Sequence, residues 1–496
     1  MNSRILLAGL IALFCLAAPT MAQTAKPNIV FILADDLGYG DVGCFGQKKI
    51  RTPNIDRLAA EGMRLTQHYS GNAVCAPSRC VLMTGRHPGH AFIRDNRAVE
   101  PEGQYPIPPE TVTLAELLKQ HGYATGGFGK WGLGPPGSEG DPLNQGFDRF
   151  FGYNCQGVAH NYYPTHLWDN DRRIELDNPE FSAHQKLPPD ADPNDPASYA
   201  RYSGSEYSPD LIAEQARRFV RANKDRPFFL YVPTTVPHLA LQVPEDSLAE
   251  YRDKFPDEPY SGGRGYLPHR RPRAAYAAMI TRMDREVGHI VDLVRELGLE
   301  ERTIFVFSSD NGPLYEKFGG TDSEFFASAG PLRGFKGSLY EGGVRVPTIV
   351  RWKGRIEPGT TLDRVSGFED WLPTLLELAG LEESIPEDID GMSFAPTLLG
   401  EPQEPRAFLY REFPSYDGWQ SVRIGDWKGV RQNLVPRGRK TKPQIKTELY
   451  NIREDIGETI DVAAEHPEIV AQIEKIMHEQ HEPSAEFPIP ILDQEK

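Results

Sequence analysis

The sequence predicts an α/β protein with a large, mostly parallel central sheet flanked by helices, followed by a smaller C-terminal subdomain of antiparallel sheet and a terminal helix. Three observations lead to this prediction. Residues 28–34 form a continuous apolar run, strands and amphipathic helices then alternate, and short strand-like segments replace this alternation after residue 390. Parallel strands are covered by helices on both faces, so they read as unbroken apolar runs between helical segments.

The first strand, over residues 28–34, is followed directly by the acidic pair Asp35 and Asp36. Ligand sites of open α/β sheets lie at the carboxyl ends of strands, so this pair marks a candidate site. Two helices are predicted next. A Thr-Pro pair suits the start of a helix over residues 52–60, and a second amphipathic segment covers residues 111–120.

The alternation continues through the middle of the chain. The pattern predicts a helix over 209–223, a buried strand over 228–232, a long helix over 273–297 and a further strand over 303–307. The order of strand and helix supports a largely parallel sheet.

Two stretches of the chain are too long to be simple connectors. Residues 154–207 and 240–272 are rich in Pro, Asp, Tyr and Gly, and we expect them to form the walls of a substrate cleft. Tyr162, Tyr163 and Trp168 argue that the first stretch is ordered.

The C-terminal part has a different pattern. Short segments at 408–413, 420–424, 427–431 and 448–450 suit a small antiparallel sheet, and a final helix is predicted near 467–478. We therefore predict a catalytic domain over residues 23–395 and a C-terminal subdomain over residues 396–496.

The N-terminus predicts export. Residues 1–22 combine an early Arg, a short apolar run and small residues before the predicted cleavage site, as secretory signal peptides do. The apolar run is too short for a stable membrane span, so we expect a periplasmic or extracellular protein.

The formal net charge of −16 argues against nucleic acid as a partner. Outside the signal and Cys75, only Cys44, Cys80 and Cys155 remain, which allows at most one disulfide.

The segment Cys75-Ala76-Pro77-Ser78-Arg79 carries the strongest functional signal. Proline is favoured in the first turn of a helix, so Cys75 is expected at or just before a helix N-terminus, where unpaired backbone N–H groups attract anions. Arg79 follows one turn later on the same face and offers a planar fork of donors to an oxyanion. A buried cysteine at an ordinary helix start is the alternative interpretation.

Two pairs of oxygen-bearing side chains follow predicted strands. Asp35 and Asp36 follow the first strand, and Asp310 and Asn311 follow the strand over 303–307. Three carboxylates and an amide oxygen suit Ca²⁺ or Mg²⁺, whereas Zn²⁺ favours His and Cys ligands. Either pair alone is also compatible with ordinary turn chemistry.

These motifs resemble the type I (formylglycine-dependent) sulfatases of the alkaline phosphatase superfamily over most of the mature chain. The resemblance rests on the C-x-P-S-R core at Cys75, the segment 126–131 (GGFGKW) and the segment 332–343 (LRGFKGSLYEGG). It implies an alkaline phosphatase/sulfatase-like fold and conversion of Cys75 to formylglycine (3-oxoalanine) by a maturation enzyme. The aldehyde hydrate would then be the nucleophile.

The resemblance also implies residue roles. Asp35, Asp36, Asp310, Asn311 and the modified Cys75 correspond to the ligands of a divalent cation, which is Ca²⁺ in the family although Mg²⁺ fits the same residues. Lys130, Lys336 and Arg79 would hold the sulfate oxygens, and His238 would protonate the departing alcohol.

The chain departs from the family pattern at Gly132, where many members have a His that contacts the aldehyde hydrate. The resemblance therefore does not identify the residue that acts as the base on the second hydroxyl of the hydrate. His160 is either a substitute for it, a substrate-binding residue, or part of ordinary loop structure.

The predicted function is a sulfuric ester hydrolase that acts on an exported substrate, and aromatic residues such as Tyr162 and Trp168 favour a sulfated carbohydrate. A phosphonate monoester or phosphodiester hydrolase of the same superfamily is the second hypothesis. The third, from a different class, is a catalytically inactive protein that binds sulfated glycans. The sequence does not identify the natural substrate or the oligomeric state.

Overall fold

The computed structural model describes residues 26–263, 265–315, 317–436 and 442–494. The predicted signal peptide over residues 1–22 lies outside these ranges. Within them, no helix is both long and apolar enough to cross a membrane.

The strands are grouped in three sheets within the described ranges. In chain order they are β1 (Asn28–Ala34), β2 (Met63–Leu65), β3 (His68–Tyr69), β4 (Ala124–Lys130), β5 (Arg149–Tyr153), β6 (His166–Asp169), β7 (Arg172–Glu175), β8 (Phe228–Pro233), β9 (Thr303–Ser309), β10 (Thr348–Trp352), β11 (Thr360–Leu362), β12 (Ser366–Gly367), β13 (Leu409–Phe413), β14 (Trp419–Ile424), β15 (Trp427–Gln432) and β16 (Glu448–Asn451).

The central sheet has ten strands in the order β11-β2-β10-β9-β1-β8-β4-β5-β6-β7. Its middle, β9-β1-β8-β4-β5, is parallel throughout. Antiparallel neighbours extend it at both ends, with β10 beside β9 and the β6–β7 hairpin beside β5. The large, mostly parallel sheet predicted from the sequence is therefore confirmed, and it places five carboxyl strand ends along one edge.

The helices of the described residues pack on the faces of this sheet or against the smaller C-terminal sheet. In chain order they are α1 (Pro53–Ala60), α2 (Cys75–Thr84), α3 (Leu114–Gln120), α4 (Ser208–Ala222), α5 (Glu245–Leu248), α6 (Pro272–Glu296), α7 (Ser323–Phe326), α8 (Glu341–Val344), α9 (Trp371–Leu378), α10 (Ala395–Leu398), α11 (Pro467–Gln480) and α12 (Pro490–Asp493).

The helix predicted over 111–120 is shorter than expected, because it begins at Leu114. Thr113 is its N-cap, and the Thr113 hydroxyl accepts a hydrogen bond from the Glu116 backbone N–H at 3.2 Å. The Glu116 carboxylate in turn accepts from the Thr113 backbone N–H at 2.9 Å. This reciprocal pair fixes the helix start at Leu114, three residues later than the hydrophobic pattern indicated.

The strand β1 is buried on both faces, which explains its unbroken apolar sequence. Val30 and Ile32 pack in one core with residues of α4 and α6, while Phe31 packs in a second core with α9. The Phe31 ring meets the edge of Trp371 with centroids 5.6 Å apart. Apolar layers on both sides of the sheet hold β1 rigidly behind the acidic pair at its end.

The C-terminal residues form an antiparallel sheet in the order β13-β14-β15-β16. The helix α11 lies against it through Ile473 and Met477, which join Tyr410 and Val422 in a separate apolar cluster. This confirms the predicted small antiparallel sheet with its terminal helix. The exact boundary at residue 395 stays a prediction.

Buried ion pairs connect this sheet to the rest of the molecule. The Arg411 guanidinium on β13 donates to both carboxylate oxygens of Glu369 at 3.0 and 2.9 Å. A bidentate pair of this kind fixes orientation as well as position, so the C-terminal sheet is attached in one geometry.

Candidate active site

The acidic residues predicted at two strand ends lie side by side, because β1 and β9 are parallel neighbours. The Asp310 backbone N–H donates to the Ala34 carbonyl at 3.0 Å, and the Asp36 backbone N–H donates to Asp310 Oδ1 at 3.2 Å. Asp36 has a φ of 63°, which turns the chain sharply after the strand. Asp35, Asp36, Asp310 and Asn311 are all at most 1% exposed.

The helix α2 begins at Cys75 itself, as the position of Pro77 predicted. The Cys75 sulfur lies 3.6 Å from Asp35 Oδ1 and 3.4 Å from the Lys336 ammonium. Burial raises the pKa of the Cys75 thiol to about 12, although Lys130 and Lys336 act in the opposite direction. The unmodified side chain is therefore a neutral thiol near pH 7, and a thiol is a much weaker nucleophile than a thiolate.

Arg79 is engaged by protein groups on three sides. Its Nε and one terminal nitrogen donate to Asp310 Oδ2 at 3.1 and 2.7 Å, and the other terminal nitrogen donates to the Lys130 carbonyl. This arrangement ties α2 to the ends of β9 and β4. Arg79 thereby orients Asp310, which is a predicted cation ligand. The contact of Arg79 with sulfate stays a prediction.

Two buried lysines each pair with one residue of the acidic pair. The Lys130 ammonium, at the end of β4, lies 2.7 Å from Asp35 Oδ2, and the Lys336 ammonium lies 2.7 Å from Asp36 Oδ1. Burial works against the charge of both lysines, but the nearby carboxylates outweigh it and raise each pKa above its usual value. The site therefore contains two fixed cations that an incoming anion would meet.

His238 follows β8 and projects into the same cluster. Its Nδ1 lies 2.6 Å from the Leu239 carbonyl oxygen, which only accepts hydrogen bonds, so Nδ1 carries a proton. Its Nε2 consequently faces the cluster, 3.6 Å from Asp36 Oδ2. Burial, together with the nearby Lys336 charge, holds the pKa of His238 well below its usual value.

His160 stacks on His238 and is held by the loops that the sequence predicted to be cleft walls. Its Nδ1 lies 3.1 Å from Nε2 of His184, and Tyr266 presents an edge to its ring at a centroid distance of 5.2 Å. His184 belongs to the 154–207 stretch and Tyr266 to the 240–272 stretch. Sequence reasoning named neither residue, because loops that fold back on a site carry no periodic signal.

Tyr162 does not offer the sugar-stacking surface that its sequence context suggested. Its side chain is fully buried, and its hydroxyl lies within hydrogen-bond distance of the backbone carbonyls of Thr235 and His238, which share its single proton. These bonds hold the loop that carries His238. Tyr162 is therefore a positioning residue, whereas Tyr266 and its neighbour Phe318 present aromatic rings beside His238.

The acidic cluster fits a hard divalent cation. Ligand atoms of Asp35, Asp36, Cys75 and His238 all lie within 4.8 Å of one another. The buried Oδ2 of Asp36 and Oδ1 of Asn311 have no hydrogen-bond partner among the described residues. Burying such acceptors without a partner costs about 1–3 kcal/mol each, and a cation bound between them would satisfy both.

The described cysteines, Cys44, Cys75, Cys80 and Cys155, are all free thiols in the structure. Cys75 is thus not committed to a disulfide.

Comparison with known proteins gives one consistent result. The family model described as Sulfatase matches residues 27–381, and a model described as N-sulphoglucosamine sulphohydrolase, C-terminal, matches residues 335–483. Arylsulfatase A of Homo sapiens is 34% identical over 490 residues, covering 92% of this chain and 88% of the relative. The N-acetylgalactosamine-6-O-sulfatase of Bacteroides thetaiotaomicron is 29% identical and covers 92% of this chain and 93% of the relative.

Among solved structures, the crystal structure of Ps i-CgsB in complex with k-i-k-neocarrahexaose superposes with a TM-score of 0.74 at 27% identity. The match covers 92% of this chain and 94% of that one. The likeness therefore extends over the central sheet and the C-terminal sheet together.

Proposed function

This chain belongs to the sulfatase family and is a sulfuric ester hydrolase, and from that premise we propose that it removes sulfate from an exported sulfated carbohydrate, using a formylglycine at position 75 and a bound divalent cation. One observation carries this proposal. Cys75, two buried lysines and the predicted cation ligands converge within one cluster at the carboxyl edge of the sheet.

Two groups would supply the chemistry that the side chains lack. The hydrate of a formylglycine at position 75 would supply the nucleophilic hydroxyl and, in its second hydroxyl, the group that allows sulfate to be released. Asp35, Asp36, Asp310, Asn311 and the modified Cys75 would hold a divalent cation, which would supply positive charge for the reaction. Ca²⁺ is the cation we expect, and Mg²⁺ suits the same oxygen ligands.

The side chains of this chain then have separate tasks. Lys336 lies 3.4 Å from the Cys75 sulfur and Lys130 pairs with the neighbouring Asp35, and both lysines would bind the sulfate oxygens as point charges. Arg79 keeps the ligand Asp310 oriented through two hydrogen bonds. His238 directs Nε2 into the cluster while its proton lies on Nδ1. The negative charge of a bound sulfate ester would raise the pKa of the ring and favour protonation of Nε2, which would then transfer this second proton to the leaving oxygen.

A sulfated carbohydrate is the proposed substrate class for two reasons. The name of one relative specifies a sulfated amino sugar, and one similar structure holds an oligosaccharide. In this chain, His160, His184 and Tyr266 form a wall of flat rings beside His238. Flat rings suit the faces of sugars.

Export is proposed from the predicted signal peptide over residues 1–22, and a formylglycine-generating enzyme is the maturation partner that the proposal requires.

The direct test is the mass of the tryptic peptide that contains position 75, measured together with sulfate release from an aryl sulfate and a panel of sulfated saccharides. An aldehyde at position 75 with saccharide desulfation that a chelator abolishes is the expected result. Equal or faster turnover of matched phosphate diesters would favour the phosphodiesterase hypothesis. A protein that carries the aldehyde and binds saccharides without releasing sulfate would be a binding protein.

A further inference from the structure

The carboxyl end of β5 carries polar residues to which the proposed mechanism assigns no task. The ends of β1, β9, β4 and β8 supply the acidic residues, Lys130 and His238, and β5 is the next parallel strand beside β4. Directly after β5 the chain reads Asn154-Cys155-Gln156, and Gln156 is 5% exposed.

Gln156 occupies the space that a side chain at position 132 would need. Gly132 has a φ of +86°, and a Cβ built on it would lie 2.7 Å from the Gln156 Nε2. A real Cβ never comes so close to a nitrogen, and the left-handed backbone at Gly132 also disfavours other residues. The glycine and the glutamine therefore fit together as a pair.

The Gln156 amide is a buried donor without an acceptor. Its Nε2 has no hydrogen-bond partner within the described ranges, and the same holds for both side-chain heteroatoms of Asn154. Most buried polar groups are paired, so an unpaired amide nitrogen points to an acceptor that arrives from outside the protein.

The location of this amide identifies the acceptor. Gly132 lies two residues after Lys130, so its Cα is within about 7 Å of the Lys130 Cα. On its other side, Gln156 precedes a short helical turn, Val158–His160, whose last residue stacks on His238. Gln156 therefore approaches the segment of Lys130 through Gly132 and lies four residues before the ring that stacks on His238, so it belongs to the same edge of the sheet as the lysine and the histidine of the proposed mechanism.

We propose that Gln156 is a sulfate-binding residue, whose Nε2 donates a hydrogen bond to an oxygen of the substrate's sulfate group and of the released sulfate ion. This inference rests on the proposed function. An amide does not titrate near neutral pH, so its contribution to anion binding does not change with pH. An imidazole, by contrast, would lose its charge as the pH rises.

The test is the dissociation constant of inorganic sulfate for the cation-loaded full chain, measured by calorimetry for the wild type and three variants. Gln156→Met keeps the volume of the side chain but removes the donor, and Gln156→Glu replaces the donor with a negative acceptor. Gln145→Met is the matched control, because Gln145 is equally buried and its amide donates to the Glu139 carbonyl.

We expect Gln156→Met to weaken sulfate binding about tenfold or more, Gln156→Glu to weaken it further, and Gln145→Met to leave it unchanged. Thermal unfolding of each variant checks that the fold is intact. If the wild type binds sulfate and hydrolyses sulfate esters but Gln156→Met binds sulfate equally well, the inference about Gln156 is overturned while the proposed function stands. If the wild type neither binds sulfate nor hydrolyses sulfate esters, both are overturned.

Discussion

The imidazole rings of His160 and His238 lie stacked, with centroids 4.7 Å apart and ring planes 7° apart. His238 is buried beneath this contact, whereas His160 extends to the partner His184 and the ring of Tyr266. His160 therefore lies between the reaction centre and the loops that would face a leaving group.

This position predicts a selective effect of His160→Ala on substrate binding. We expect KM for a sulfated saccharide to rise about tenfold, because a polar contact with the sugar is lost, while KM for a small aryl sulfate changes little. His289→Ala on the exposed part of α6 is the control. An equal loss on both substrates would instead make His160 a positioning residue for His238.

Cys75→Ala is expected to abolish hydrolysis without disturbing the fold. The substitution removes the thiol that maturation must oxidise to form formylglycine, and it takes away one buried sulfur in a cluster held by several salt bridges. Sulfate release and thermal unfolding would be compared with the wild type. Turnover above background in this variant would exclude covalent catalysis at position 75.

His238→Gln is expected to slow turnover in proportion to the basicity of the leaving group. An alcohol needs a proton as it departs, whereas a nitrophenolate does not. We expect kcat to fall about 100-fold or more for a sulfated saccharide and much less for nitrophenyl sulfate. A uniform loss across a series of aryl sulfates of rising phenol pKa would contradict the role of acid.

The sequence located the parts of this site whose signals are local, and it missed those that depend on tertiary contacts. The apolar runs of β1 and β9 indicated where Asp35 and Asp310 would lie, because parallel strand ends meet at one edge. By contrast, β10 was not predicted, since its run is interrupted by Arg351, which is buried against Glu300. His184 lies at the site only because the loop that carries it folds back, and no residue spacing in the sequence indicates such a contact.

Cation binding is expected to raise the thermal stability of the protein. A ligand that binds only the folded state at 100 times its dissociation constant contributes about 2.7 kcal/mol. We expect Ca²⁺ to raise Tm for the wild type and not for Asp36→Asn.

A second group of possible ligands, His87, His90 and Asp390, supplies the control for this measurement. There the His87 Nε2 is paired with Gln480 at 2.9 Å, and His90 with Asp390 at 2.8 Å. Asp390→Asn should therefore keep the calcium-dependent rise in Tm. If Asp390→Asn alone lost the calcium-dependent rise in Tm, the cation would bind at His87, His90 and Asp390 instead.

The stability of the C-terminal subdomain is expected to depend on pH through His481. Its two ring nitrogens lie 2.7 Å from Glu412 and 3.0 Å from Asp493, and since carboxylates only accept, both nitrogens donate when the ring is protonated. Burial opposes that charge, but the hydrogen bond and charge of Glu412 outweigh it and raise the pKa of His481.

A pKa raised by folding means that the stabilisation is complete below the unfolded value of about 6.5 and is lost as pH rises through the folded pKa. His481→Gln should therefore lower Tm more at about pH 5.5 than at about pH 9, and His289→Gln on the exposed face of α6 is the surface control. A Tm difference for His481→Gln that stays constant with pH would show that the ring contributes packing and neutral hydrogen bonds but no charge.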